Sequence, residues 1–188
     1  MEPLFYVLIG ALLALGIGLL KRRFFGFLAQ KPEDYADYGP EAFDLKRHLD
    51  GPLLCEGVIY GPMGRITSCF VGDFDVTWEG NSGVMAETFR YDNGEVQRRE
   101  WRLTLEDGGA IRAQADDVVG DGRGQQSGPT VQLRYRIRLP EESGGHVLST
   151  VDWMYLAPNG TIVNRSQFRK YGIKVAELVA TMRRKDTT

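Results

Sequence analysis

Histidine and cysteine are nearly missing from this sequence, with two of each among 188 residues. His48 and His146 both fall near expected turns, and no His/Cys grouping has zinc-ligand spacing. Cys55 and Cys69 set no disulfide framework. They lie on runs either side of a turn at Pro62, where they could face each other, and free thiols are the default reading. No serine sits in a Gly-x-Ser-x-Gly elbow, so acyl-transfer chemistry has no visible nucleophile. An excess of one charge is lacking too. The 23 Lys and Arg against 25 Asp and Glu leave a net charge of −2, which argues against a general nucleic-acid binder. Gly120-Asp121-Gly122-Arg123-Gly124 is glycine-rich, but it has neither the Lys-Ser/Thr of a Walker loop nor a helix to follow it. Asp116, Asp117 and Asp121 lack calcium-loop spacing. These gaps disfavour a conventional enzyme, and neither a metal nor a cofactor is expected.

One long hydrophobic run is present. Leu4 to Leu20 carries no charged side chain, and as a helix it would span roughly 26 Å at about 1.5 Å per residue. That nearly matches a bilayer core of about 30 Å. Residues before the run include Glu2 and nothing basic, and no small-x-small cleavage site follows, so an uncleaved anchor is expected rather than a signal peptide. Lys21-Arg22-Arg23 flanks the run on its far side. The positive-inside rule then predicts a single-pass inner-membrane protein with a cytoplasmic domain, a periplasmic one being the alternative. The chain thus divides into an anchor with its basic flank (1–23), a juxtamembrane linker (24–50) and a folded domain (51–188). Glu33–Tyr38 reads as a solvated connector with one helical turn, and Phe43-Asp44-Leu45 as the start of folded structure.

From Leu53 the apolar pattern has period two, interrupted by Asn-Gly, Gly-Gly and Gly-Pro turn signals. The expected strands are Leu53–Tyr60, Arg65–Trp78, Gly83–Tyr91, Glu95–Leu105, Ala110–Val118, Thr130–Leu139, Val147–Leu156, Thr161–Arg169 and Ile173–Arg183. The last also has tolerable helical spacing, and strand is preferred because the meander needs a closing partner. Tight turns imply sequential antiparallel neighbours. About nine such strands hide their edges best by closing, so the prediction is a mainly β, up-and-down antiparallel barrel behind one N-terminal helix. Val119–Pro129 is left as a mobile loop at the barrel mouth, able to act as a lid. Gly72 is expected to bend a long strand.

The densest polar and aromatic chemistry lies in Val147–Leu156 and Thr161–Gly172, with Asp152-Trp153, Asn164-Arg165 and Lys170-Tyr171-Gly172. Alternation puts Glu87 with Phe89, and Arg99 with Trp101 and Leu103, on inward faces. Buried charges need partners. Glu87 with Arg99, and Asp152 with Arg165 or Lys170, are the expected pairs. They are either structural ion pairs or the polar end of a ligand cavity. Glu87, Arg99, Trp101, Tyr135, Asp152, Trp153, Asn164, Arg165 and Lys170 are therefore the candidate ligand-binding residues.

Several of these segments, taken in order, resemble one bacterial family. They are Glu87-Thr88-Phe89-Arg90-Tyr91-Asp92-Asn93-Gly94, Arg99-Glu100-Trp101, Ala115–Gly120, Asp152–Leu156, and Asn164 through Lys170-Tyr171-Gly172. The family is the domain of unknown function numbered three-eight-three-three, matched from about Phe43 to Arg184. The resemblance implies a lipocalin-like barrel without assigned activity, in a family where many members look like envelope lipoproteins. This chain lacks the lipid-accepting cysteine. It has Val151 where relatives tend to carry a second acidic residue, which weakens any two-carboxylate mechanism at Asp152. The leading expectation is a membrane-anchored module binding a lipid or other hydrophobic ligand. A non-catalytic accessory or scaffold for a membrane protein partner is the alternative, and a lipid-modifying enzyme using Asp152 and Lys170 is the third.

Overall fold

A computed structural model describes residues 2–39 and 41–185. A helix α1 (Glu2–Phe24) is followed by two 3-10 turns, Phe27–Ala29 and Pro32–Tyr35, and a short helix α2 (Leu45–His48). Ten strands follow: β1 (Gly51–Tyr60), β2 (Ile66–Glu79), β3 (Ser82–Tyr91), β4 (Val96–Leu105), β5 (Ala110–Gln114), β6 (Gly122–Ser127), β7 (Thr130–Arg138), β8 (Val147–Leu156), β9 (Ile162–Lys170) and β10 (Ile173–Arg184). Each pairs antiparallel with the next, and β10 returns to β1 to close the barrel. The final segment is a strand because Glu177–Arg184 pairs with Leu53–Tyr60 along its length.

The tenth strand, β6, comes from the segment expected to be a lid. Gly122-Arg123-Gly124-Gln125-Gln126 shows no apolar alternation because its inward positions are filled by neighbours. A Cβ on Gly124 would lie 2.4 Å from Leu133 Cδ2 and 2.5 Å from the Gln132 carbonyl oxygen. Only glycine admits that approach. Correspondingly β5 stops at Gln114, and Ala115–Asp121 crosses the rim, with Val118 bridging to Ile137. Gly72 is another correction. The ladders run through it in register on both sides, and a Cβ there would lie 2.8 Å from Phe74 Cε1, so it makes room for an inward ring rather than a bend. Cys55 pairs with Gly72 and Cys69 with Val58. The thiols therefore sit on opposite faces of the wall and stay free.

The two barrel ends differ. At one end Phe43, Leu45 and Leu49 are almost fully buried, and Asp44 caps α2 by accepting from the backbone N–H of Lys46 and Arg47. Trp78 Nε1 donates to the Leu49 carbonyl at 2.7 Å, tying this plug to β2. The other end, ringed by the β1–β2, β3–β4, β7–β8 and β9–β10 turns, is the mouth.

The linker packs on the outside. β8 is apolar on both faces, with Val151, Trp153 and Tyr155 turned outward, and such a face needs cover. Phe27 buries itself against Val151 and Trp153. Tyr35 meets Trp153 edge to face at 5.4 Å, and Gln30 Oε1 accepts from both the Tyr35 and Tyr155 hydroxyls. The expected solvated connector is real for Glu33, Asp34, Asp37 and Tyr38, which are exposed. Tyr35 turns back onto the wall.

The β9–β10 hairpin has a two-residue loop, Tyr171-Gly172, with both residues at positive φ (50° and 80°). This is the backbone of a type I′ turn, where Asn or Gly is favoured. Among the described residues Tyr171 is the only non-glycine there. Holding a bulky residue in that region costs about 1–2 kcal/mol. Tyr171→Asn should therefore raise stability by about 1 kcal/mol in chemical denaturation, and a fall would show that the tyrosine is held by packing instead.

Candidate functional site

Inside the barrel lies a cavity of about 520 Å³, within the range of small-molecule sites. Its walls are apolar and aromatic. Phe70, Phe74, Phe89 and Tyr91 pack at 5.2–6.2 Å between centroids, and Leu133, Met154 and Leu178 complete the lining. One polar cluster interrupts it, built from four segments. Glu87 on β3 and Arg99 on β4 are direct cross-strand partners, Asp117 comes from the rim segment, and Asp152 from β8.

The pairing within that cluster differs from the expectation. Arg99 Nε donates to Asp117 Oδ1 at 3.0 Å and lies 2.8 Å from Oδ2 in an ion pair, and its guanidinium lies 4.2 Å from the Trp101 ring centroid. Trp101 in turn packs edge to face on Tyr135 at 5.1 Å. Glu87 therefore feels the field of Arg99 without taking its main ion pair. Its Oε2, like Arg99 Nη2, is buried with no hydrogen-bond partner among the described residues. Asp152 Oδ1 accepts from Asn164 Nδ2 and from Ser166 Oγ at 2.8 Å, not from Arg165 or Lys170.

Of the sequence-predicted residues, Glu87, Arg99, Trp101, Tyr135, Asp152, Asn164 and Lys170 line the cavity. Trp153 and Arg165 do not, and the reason is the two-residue period: a neighbour of an inward Asp152 or Asn164 must face out. Trp153 is buried beneath Phe27 and Tyr35. Arg165 lies over the Phe27 ring at 5.0 Å and pairs with Glu177 at 2.6 Å. Lys170 sits at the mouth, its Nζ 5.7 Å from the Tyr171 ring centroid. Sequence reasoning missed Ser166, which was reachable since it shares a face with Asn164. Asp117 stood out in the sequence as a charged residue of the same group but was not among the candidates, and it lines the cavity from beyond the last β5 ladder pair.

Burial pushes the Glu87 carboxyl up to about 8, against the pull of Arg99, with Asp152 and Asp117 adding to the rise. Asp152 is also raised by burial, against the Ser166 and Asn164 hydrogen bonds. Burial pushes the Cys55 thiol up to about 12, so it stays protonated and unreactive. At neutral pH the cluster is thus an Arg99–Asp117 pair beside a largely protonated Glu87. Glu87 and Arg99 Nη2 can both donate to an oxygen acceptor entering from the apolar side. The cluster has a second exposure. β4 pairs with β5 only over Arg102–Leu105, and a side cavity of about 470 Å³ abuts Glu87, Arg99 and Asp117. Arg99–Asp117 and Arg102–Asp116 ion pairs span that stretch. Among the described residues no group of three or more His, Cys, Asp or Glu is placed to hold a metal ion.

The geometry defines an antiparallel barrel of lipocalin-like build with an apolar interior and a single polar cluster. The chain belongs to the family described as Protein of unknown function (DUF3833), whose model matches residues 22–184. Its fold is similar to that of an S-type phycobiliprotein lyase, CPES, from Guillardia theta, at 11% identity and a TM-score of 0.56, covering 76% of this chain and 91% of that one. A putative exported protein with YmcC-like fold from Bacteroides fragilis aligns at 12% identity and a TM-score of 0.35, covering 73% of this chain and 96% of that one. No curated protein matches this chain in sequence.

The raised Glu87 carboxyl carries a pH dependence. Its folded pKa, about 8, exceeds the ordinary glutamate value of 4.5, so the native state holds a proton that the unfolded chain releases between those values. Stability is therefore full below about 4.5 and falls as pH rises toward 8, by up to about 1.4 kcal/mol per pH unit. Asp152 acts in the same direction. Calorimetry across that window should show Tm falling with pH, and Glu87→Gln should flatten the slope. A slope unchanged in that variant would remove Glu87 as its source.

Proposed function

We propose that this protein is a membrane-anchored, lipocalin-like carrier that binds a fatty-acyl or other hydrophobic molecule bearing one polar oxygen-containing end. The observation that carries the reading is the cavity: about 520 Å³, apolar on most of its wall, with Glu87 and Arg99 in its lining and each keeping a buried polar atom without a partner. A buried polar atom without a partner costs about 1–3 kcal/mol, and a carboxylate, ester or amide oxygen between Glu87 and Arg99 would relieve that cost. The fully apolar chain is accommodated by the Phe70–Phe74–Phe89 side. The barrel likeness to a phycobiliprotein lyase agrees with the fold alone.

Anchoring is supported by α1, whose Pro3–Lys21 stretch is long and apolar enough to cross a membrane and is unburied by the barrel. The basic flank at Lys21 favours the inner membrane with the barrel in the cytoplasm. The scaffold alternative, in which the barrel wall holds a membrane protein partner, has less support, because the apolar outer face of β8 is already covered by the linker. An acid–base pair of Asp152 and Lys170 is disfavoured. Asp152 pairs with Ser166, and Lys170 lies four residues further along β9, about 13 Å away.

Native mass spectrometry of the full chain purified in mild detergent should show an added mass that organic solvent removes. Arg99→Gln should weaken uptake of a fluorescent fatty-acid probe by about tenfold or more, as expected for losing a charge-assisted hydrogen bond. A chain that carries nothing and takes up no probe would overturn the carrier reading. Separately, a reporter fused after Thr188 should be active as a cytoplasmic fusion; periplasmic activity would reverse the orientation.

A further inference from the structure

The mouth of the barrel is not uniform around its rim. The β1–β2 and β9–β10 turns are neighbours, because the strand order runs β9, β10, β1, β2. Their tips are apolar and exposed: Tyr171 is 94% and Met63 80% accessible, and Ile66 and Ile173 are exposed beside them. Arg65 and Lys170 flank this patch, and neither is within salt-bridge distance of a carboxylate among the described residues. The opposite arc of the rim is acidic, with Asp92, Glu95, Asp121, Glu141 and Glu142 all exposed. The turns at the plugged end carry no comparable apolar tips; they read Glu79-Gly80-Asn81, Asp107-Gly108-Gly109 and Pro158-Asn159-Gly160.

Isolated exposed apolar residues are ordinary, but a contiguous patch edged by basic residues is the composition of a membrane-interface anchor. Tyr171 adds a second argument. It occupies a left-handed position that suits Asn or Gly, and it projects almost wholly into solvent, so its side chain earns nothing inside the barrel. The anchor helix arrives on the same side. Phe27 docks on the outer wall of β8 and β9, against Val151, Trp153 and Arg165. From Arg165, which lies over the Phe27 ring, β9 reaches the rim at Lys170 about 16 Å away, at roughly 3.3 Å per residue. From Leu20, four helical residues and three extended ones span up to about 16 Å. The tether is long enough to set this arc of the rim at the surface of the bilayer that the helix enters.

We propose that the β1–β2 and β9–β10 tips dock into the headgroup region of an anionic bilayer, with Tyr171, Met63 and Ile173 inserted and Arg65 and Lys170 on lipid phosphates. The acidic arc then tilts away from the surface. Phe168, Lys170 and Leu178 line the cavity just inside this arc, so an amphipathic molecule passes between bilayer and barrel along an apolar path. The inference rests on the anchored-carrier reading and adds the docked face to it.

The test reconstitutes the full chain into vesicles of phosphatidylethanolamine and phosphatidylglycerol. An NBD probe is placed at Met63→Cys, or at Asn159→Cys on the plugged end as control, in a Cys69→Ser background; Cys55 is buried. Met63-site emission should shift to the blue and be quenched by doxyl-labelled lipid, whereas the Asn159 site stays water-like. Adding Tyr171→Asn with Ile173→Ser should abolish the shift while flotation with the vesicles persists through the helix. A Met63-site probe that stays water-like in floating protein would overturn the docking proposal and leave the anchor intact. A chain that does not float at all would overturn both.

Discussion

Closure of the ladder between β1 and β10 is the constraint on which the other features depend. Once Leu53–Tyr60 pairs with Glu177–Arg184, the ladder is continuous around the barrel except along Val96–Trp101 of β4, where β5 stops short, and residues on inward faces are committed to the interior. The same closure makes the interior a compartment. One end is filled by Phe43, Leu45 and Leu49, so exchange with the surroundings is left to the mouth and to the short gap beside β5.

Committing Glu87, Arg99 and Asp152 to that interior sets their chemistry. In a low-dielectric wall a lone charge is too costly to keep, and the fold meets the cost in three different ways. Arg99 keeps its charge by pairing with Asp117 and lying over Trp101. Asp152 is held by two hydrogen-bond donors. Glu87 keeps a proton instead. The result is a polar spot in an apolar chamber, in which a protonated carboxyl stands beside an ion pair.

The outside of the barrel divides its work by face. The β8 wall holds the linker through Phe27, Tyr35 and Gln30, which ties the anchor helix to a defined side of the barrel. The Glu177 carboxyl is held at about 2; burial opposes this, and hydrogen bonds from Lys174, Arg165 and Gln167 outweigh it. Their contacts fasten β9 to β10 on the outer surface close to the same side. The linker wall thus stands between the apolar β9–β10 tip and the acidic β7–β8 turn.

Period-two alternation in Thr130–Leu139 and the Asn-Gly and Gly-Gly turns were enough to specify a closed antiparallel barrel, because side-chain alternation and tight-turn chemistry are local properties. The same alternation placed Glu87, Arg99 and Trp101 inward, and membership of a family followed from the order of short segments. What stayed hidden depended on contacts distant in sequence. β6 carries no apolar pattern because Leu133 and Ile111 fill the space above its glycines. Trp153 and Arg165 face out by the same alternation that turns Asp152 and Asn164 inward, but that the linker covers them was decided only by packing. Asp117 took the Arg99 charge because the rim segment runs back along β7 and brings Asp117 within reach of Arg99, a path that no spacing in the sequence encodes. Sequence alone therefore determined the barrel and its inward rows, while the partners of the buried charges, the covered wall and the polarity of the rim were decided by tertiary proximity.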